Sequence, residues 1–100
     1  MQDTQYRKWL ESQSLKPKSI GTLLADARRI EREHRIDLDI EYDRDRLESV
    51  RERLTYTIED ERHGRGNRSG LSLPMGNLRA TLSPYKSAVS RYALFRGTNM

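Results

Sequence analysis

Apolar residues recur every three or four positions between residues 20 and 30, and this spacing constrains the fold more than any other feature. The repeating positions share one face of an α-helix and are Ile20, Leu23, Leu24, Ala27 and Ile30. Charged residues occupy most of the other face, so the pattern predicts an amphipathic helix over 19–34 that packs on other helices. Either Pro17 or Ser19 can open this helix, because both residue types are common at helix starts.

Residues 36–42 alternate strictly between apolar and acidic side chains, which is the period of a half-buried strand. No second alternating run offers a pairing partner, so we expect an extended connector whose apolar side chains fill gaps in the bundle. Asp43 or Asp45 then caps a helix over 44–60, and Asp45 with Glu48 fits a reciprocal capping box. The positions predicted to be buried in this helix are Leu47, Val50, Leu54 and Ile58.

The two ends of the chain also predict helices. Near the start, the apolar face of a helix over 3–13 consists of Tyr6, Trp9 and Leu10, with Asp3 as the predicted N-cap. Residues 62–76 read as a glycine-rich loop, after which Asn77 caps a helix over 77–96.

The last apolar stripe consists of Leu78, Leu82, Tyr85, Val89 and Tyr92, with Ala88 and Phe95 nearby. Pro84 lies inside this stripe, where it either kinks the helix or begins its main part. The chain as a whole therefore predicts an all-α fold, a small bundle of four to five helices. One hundred residues allow a single domain, because a chain of this length buries only about two-thirds of its unfolded surface.

The composition excludes several classes of protein. With no cysteine, the chain has no disulfide framework, thiolate zinc site or cysteine nucleophile. No apolar run approaches the ~20 residues of a membrane span, and the polar start of the chain does not read as a signal peptide. These features predict a cytoplasmic protein.

Charge is divided into blocks along the chain. Residues 1–36 carry a net charge of +3, residues 37–61 carry −6, and residues 62–100 carry +7 with no Asp or Glu at all. This division predicts a surface with separate acidic and basic regions, which the formal net charge of +4 conceals.

Enzyme chemistry has little support in the sequence. His34 and His63 fit no zinc spacing, and both read as surface histidines. The alternating carboxylates of 37–45 resemble a calcium loop, but Tyr42 stands where that loop requires glycine. The glycines of 64–70 are not followed by the Gly-Lys-Ser/Thr of a nucleotide-binding loop. We therefore expect no catalysis, no metal and no cofactor.

Nucleic-acid binding is the best-supported function, because the acid-free segment concentrates arginine and small polar residues that contact phosphates. The candidate residues are Arg62, Arg65, Asn67, Arg68, Arg79, Lys86 and Arg91. Lys86 and Arg91 lie about 140° apart around a helix, so they cannot share a narrow stripe. The basic surface could extend near the first two helices through Arg7, Lys8, Lys16 and Lys18. Tyr85 and Tyr92 could stack on bases, but their spacing favours a core position.

Three segments carry a family resemblance. Residues 6–12 read YRKWLES, residues 15–30 read LKPKSIGTLLADARRI, and residues 77–95 read NLRATLSPYKSAVSRYALF. They resemble the helices of the N-terminal core-binding domain of phage integrases and other tyrosine recombinases. The resemblance implies a SAM-like, four-helix unit that clamps one side of a DNA duplex and has no catalytic residues of its own. A recombinase catalytic domain has no room in this chain, so no recombination is implied.

An alternative function is protein binding. Small charged helical proteins of phages and mobile elements include anti-CRISPR inhibitors, which occupy a surface of a host nucleoprotein complex. In this alternative, the acidic part of the chain would meet a basic channel. The candidate acidic surface consists of Asp43, Asp45, Glu48, Glu52, Glu59, Asp60 and Glu61. Opposite patches could equally drive self-association, so the sequence leaves a monomer and a homodimer both open.

Overall fold

Two long antiparallel helices, α2 (Pro17–His34) and α6 (Leu78–Thr98), pack together at the centre of the protein. The computed structural model describes residues 1–73 and 76–98, and positions 74 and 75 of the predicted loop lie outside the described residues. Among the residues predicted from helical spacing, the packed faces bury Ile20, Leu24, Ala27 and Ile30 of α2 and Leu82, Val89 and Tyr92 of α6, together with Ala88 and Phe95. Leu23, Leu78 and Tyr85 are only partly buried. The predicted all-α bundle is confirmed, and the regular structure of the described residues is entirely helical.

The described residues also form four shorter helices: α1 (Asp3–Ser12), α3 (Leu38–Asp45), α4 (Glu48–Leu54) and α5 (Ile58–Arg62). Helix α1 packs on both α2 and α6, α4 packs on α6, and α3 packs on α4. Within the described part of the chain, no helix combines the length and apolar composition needed to cross a membrane.

An aromatic cluster joins α1 to α6. The ring of Phe95 lies 5.4 Å from the rings of Tyr6 and Tyr92 and 5.8 Å from that of Trp9. Tyr6 and Tyr92 meet edge to face at 4.9 Å, a favourable geometry for aromatic pairs. Tyr6 also donates a hydrogen bond to the Ala88 carbonyl. Trp9 is only partly buried at the edge of this cluster.

The connector predicted at 36–42 is wrong, because most of this segment belongs to α3. Asp37 caps the helix by accepting a hydrogen bond from the Asp39 backbone N–H at 2.8 Å. Leu38 and Tyr42, four residues apart, are buried on one face, whereas Ile40 is 65% exposed. Within α3, the apolar residues that alternate in the sequence therefore have different environments: Leu38 and Tyr42 lie in the core, and Ile40 faces solvent.

The single helix predicted over 44–60 is also wrong, because the chain is interrupted twice. Arg46 and Leu47 both adopt left-handed backbone conformations, which separates α3 from α4. Asp45 accepts hydrogen bonds from Ser49, so the predicted capping box with Glu48 does not form. A different box begins α5, and its partners are Thr57 and Asp60. Because α5 begins anew after α4 ends, Ile58 does not continue the buried face of α4. It was predicted to be buried but is 47% exposed.

The predicted start of α1 is wrong, whereas the starts of α2 and α6 each agree with a predicted residue. Helix α1 begins after Gln2, with Asp3 in its first turn rather than as its N-cap. Helix α2 begins at Pro17, whose fixed φ and missing N–H suit the first helical position. Asn77 accepts a hydrogen bond from the Ala80 N–H, as the predicted N-cap of α6 should.

The prediction that Pro84 begins the main part of the last helix is wrong, because α6 begins at Leu78 and continues through Pro84. Its ring is exposed, and buried residues on both sides, Leu82 and Ala88, hold the helix against the core. Tertiary packing therefore outweighs the lost backbone hydrogen bond, which costs an isolated helix about 3 kcal/mol.

The end of α2 gives a first testable prediction. Arg35 is exposed and left-handed, with φ 55° and ψ 48°, a conformation that costs a residue with a Cβ about 1 kcal/mol and glycine almost nothing. We therefore expect Arg35→Gly to raise the free energy of unfolding by about 0.5 kcal/mol, after the larger unfolded-state entropy of glycine is included. The midpoint of urea denaturation measures this change.

The matched control is Arg32→Gly, which replaces an exposed arginine inside the same helix. That substitution should lower stability by about 1 kcal/mol, because glycine is a poor helix former. Equal destabilisation by both substitutions would show that the left-handed residue is not strained.

Candidate nucleic-acid interface

The loop that follows α5 is held in place by hydrogen bonds within the loop itself. Asn67 donates to the Leu71 carbonyl at 2.8 Å and accepts from the Ser69 N–H at 2.9 Å. Ser69 is completely buried, and its hydroxyl accepts from the Leu71 N–H at 3.1 Å. Tyr56 adds a hydrogen bond to the Arg65 carbonyl. The Asn67 amide, a predicted nucleic-acid contact, thus serves the structure of the loop.

Gly70 lets this loop approach α2 and α4 closely. Its φ is +77°, and a Cβ at this position would overlap Arg53 and lie 3.0 Å from His34 Nε2. The Ser69 carbonyl also lies 2.5 Å from the same His34 nitrogen. The positive φ favours glycine at this position, and any Cβ would press against the His34 ring.

Two of the predicted arginines pair with one carboxylate. Asp60 lies 2.9 Å from Arg65 and 3.8 Å from Arg68. Hydrogen bonds from Thr57 and Arg65 lower the pKa of Asp60 despite its burial, so this carboxylate is ionised at neutral pH. Asp60 is only 4% exposed, so its predicted place on an acidic surface is wrong.

A third arginine of the predicted set is also paired, since Arg79 lies 3.4 Å from Glu61. The acidic end of the −6 block and the basic +7 block therefore meet at α5, where their charges partly cancel. The predicted separation into distinct acidic and basic regions does not hold at this place.

The other acidic candidates occupy several places. Asp43 pairs with Arg96 at 3.1 Å, and Glu59 lies 3.8 Å from His63. Glu48 and Glu52 line a groove between α4 and α6 together with Lys86. Most of these carboxylates thus have a basic side chain of the same protein beside them.

The remaining basic candidates are Arg62, Lys86 and Arg91, and none of them forms a salt bridge among the described residues. Arg62 is exposed. Lys86 and Arg91 line grooves on different flanks of α6, as their angular separation predicts. Arg91 faces the beginning of α2, where Lys18 lies.

This second groove, between the start of α2 and the middle of α6, has a volume of about 420 Å³ and is here named the α2–α6 groove. Its lining residues are Leu15, Lys18, Ser19, Thr22, Leu23, Ser87 and Arg91. The described residues that line it include two cations and three hydroxyl groups but no carboxylate. The first turn of α2 also contains no acidic residue.

Sequence reasoning gave Lys18 only a supporting role, because it lies far along the chain from the acid-free segment. A signal was present in the proline and paired lysines of residues 16–18, which place basic side chains at a helix start. That Arg91 lies opposite depends on the antiparallel packing of α2 and α6, which periodicity does not reveal.

The two tyrosines of α6 have different environments. Tyr92 is completely buried, so its ring is not available to stack on a base. Tyr85 is partly buried, and the guanidinium of Arg29 lies 5.3 Å from its ring centre and also donates a hydrogen bond to its hydroxyl oxygen. The core position predicted for this pair is therefore confirmed for Tyr92 and only partly for Tyr85.

Comparison with known proteins finds no match. This holds for family models, for curated protein sequences and for solved structures.

Proposed function

We propose that this protein is a non-catalytic helical module that binds the sugar-phosphate backbone of DNA in the cytoplasm. The α2–α6 groove is the proposed centre of the contact. The resemblance to recombinase core-binding domains implies the same class of partner.

The observation that carries the proposal is the charge of the α2–α6 groove. Lys18 and Arg91 both line it, and no acidic side chain lies among the described residues that form its walls. Cations that lack a carboxylate partner release counterions from DNA when they bind phosphates, which favours association. The hydroxyls of Ser19, Thr22 and Ser87 can donate further hydrogen bonds to phosphate oxygens.

The loop arginines have a secondary role in this proposal. Arg65, Arg68 and Arg79 already face Asp60 or Glu61, so each would exchange one ion pair for another on binding. Such an exchange contributes less binding free energy than a new contact between phosphate and a cation that had no carboxylate partner. Arg62 and Lys86, which form no salt bridge among the described residues, add further positive charge.

Protein binding has less support as the main function. Asp43, Asp60 and Glu61 have arginine partners within the chain, which reduces the negative surface that a basic protein or nucleoprotein channel would meet.

The test is a fluorescence-anisotropy titration of a labelled DNA duplex with the double variant Lys18→Gln/Arg91→Gln. We expect its affinity to fall at least about tenfold at low salt, because two charged contacts to phosphate are lost. If the native protein contacts about four to six phosphates, log affinity should fall with log salt at a slope of about −4 to −5. The double variant should make this slope shallower by about 2.

The matched control is Arg65→Gln/Arg68→Gln, which removes the same amount of charge from the loop. Its affinity should fall much less, and circular dichroism should show that both variants keep their helices. Loss of binding in the loop variant alone would move the contact from the α2–α6 groove to the loop. No binding by the native protein at about 50 mM salt would overturn the DNA proposal.

A further inference from the structure

His34, the last residue of α2, connects this helix to the loop that follows α5. Its Nε2 lies 2.5 Å from the carbonyl oxygen of Ser69. A carbonyl only accepts hydrogen bonds, so Nε2 carries the proton of the neutral ring. Nδ1 is buried and has no hydrogen-bond partner among the described residues. In its neutral form, the ring therefore donates a hydrogen bond to the loop through Nε2, while Nδ1 has no hydrogen-bond partner among the described residues.

A second proton on this ring would meet an unfavourable environment. It would bind at Nδ1, where no acceptor is available and burial excludes water. The charged groups around the ring are Arg53 of α4 and Glu33 of α2. Arg53 repels a positive ring, whereas Glu33 already accepts hydrogen bonds from Arg29 and from the Ser72 N–H. The contact between His34 and the loop thus fits the neutral ring only.

We propose that His34 is a pH-sensitive latch, whose protonation releases residues 66–72 from α2 while the helical bundle stays folded. The latch consists of His34, Ser69, Gly70 and Arg53. When the ring is charged, the loop moves away so that water can reach Nδ1 and the guanidinium of Arg53 can separate from the ring. This device is independent of the proposed DNA binding, although the loop it controls carries Arg68.

The direction of the effect follows from proton linkage. Burial lowers the pKa of His34, and the positive charge of Arg53 lowers it further. The hydrogen bond to Ser69 raises the pKa, but the net result lies below the ordinary value of 6.5. The released loop leaves the ring exposed to water, with a pKa near that ordinary value. Docking is therefore complete above about pH 6.5 and is lost as pH falls through the lower pKa of the docked ring. Between these two values, loop opening should increase by up to about tenfold for each pH unit.

The experiment is an NMR titration from about pH 7.5 to about pH 4.5, combined with hydrogen exchange of the loop amides, corrected for intrinsic rates. We expect His34 to titrate at a lower pH than the ordinary value of 6.5. Exchange protection at Ser69 and Leu71 should fall with the same midpoint as His34, while α2 and α6 remain protected.

Two substitutions separate the latch from general acid sensitivity. His34→Gln keeps a side-chain N–H for the Ser69 carbonyl but cannot be protonated, so its loop should stay protected across this range. The matched control, His63→Gln, should behave like the native protein. Arg53→Gln should move the midpoint of loop opening upward, because it removes the positive charge beside the ring, and this result tests the latch even if His34→Gln does not fold.

The proposal is overturned if His34 titrates while the loop stays protected, or if His34 remains neutral down to about pH 4.5. It is equally overturned if Arg53→Gln leaves the midpoint unchanged, or if a folded His34→Gln protein opens its loop at the native midpoint.

Discussion

Replacing Phe95 with alanine is expected to lower the free energy of unfolding by about 3–5 kcal/mol. Phe95 is only 1% exposed and contacts Tyr6, Trp9 and Tyr92, so its removal leaves a cavity where α1 meets α6. The loss is large beside the total stability of about 5–15 kcal/mol that is typical of folded domains. Urea denaturation followed by the fluorescence of the single tryptophan, which lies next to Phe95, measures it directly.

The neighbouring residue supplies the control. Leu94 lies on the same helix but is 56% exposed, so Leu94→Ala should change stability by less than about 1 kcal/mol. Similar losses for the two substitutions would show that α6 is not packed on this face. The same reasoning predicts that Trp9→Ala costs less than Phe95→Ala, because Trp9 lies at the edge of the cluster.

Asp39→Asn is expected to have the second-largest effect on stability, about 2 kcal/mol at neutral pH. Asp39 accepts hydrogen bonds of 2.6 Å from both the Tyr92 hydroxyl and Arg96, which connects α3 to the end of α6. Its other oxygen lies 3.4 Å from the α-amino nitrogen of Met1. Asparagine retains the shape of this side chain but not the charge that these donors require.

The effect of Asp39→Asn should depend on pH. Burial raises the pKa of Asp39, but the hydrogen bonds from Tyr92 and Arg96 outweigh it and hold the pKa below its ordinary value of 3.8. The ionised carboxylate therefore stabilises the protein above about pH 3.8, and this contribution disappears as pH falls through the lower pKa of the folded state. The stability difference between native protein and variant should shrink in that acidic range.

Asp43→Asn is the matched control for this substitution. Asp43 bonds the same arginine at 3.1 Å, but its side chain is 71% exposed, so the variant should lose no more than about 1 kcal/mol. If Asp39→Asn is as mild as Asp43→Asn, the link between α3 and α6 contributes little to the fold.

Local patterns in the sequence predicted the helices that have long apolar stripes. In α2 the spacing of Ile20, Leu24, Ala27 and Ile30 repeats over three turns, so one buried face accounts for the whole segment. Over residues 36–42 only two positions are buried, and a strand period and a helix period fit seven residues almost equally well. The cap formed by Asp37 distinguishes them, because it gives the chain a helix start where alternation alone indicated extension.

The candidate site was predictable in its residue types but not in its arrangement. The sequence alone identified Arg91 as a candidate and associated Lys18 with the basic surface. It could not show that Lys18 and Arg91 line one groove, or that Asp60 lies between Arg65 and Arg68. The first depends on how α2 and α6 pack, and the second on the path of the loop after α5.

By itself, the sequence determined that this protein is helical, that its core is drawn from a few amphipathic stripes, and that its charge lies in blocks. These properties follow from residue type and from spacing within one or two helical turns. Only the tertiary structure decided which charges are neutralised, since an ion pair depends on distances of 3–4 Å between side chains that separate elements bring together. The basic block of +7 is therefore partly offset by Asp39, Asp43, Asp60 and Glu61, and the cations of the α2–α6 groove lie apart from those carboxylates.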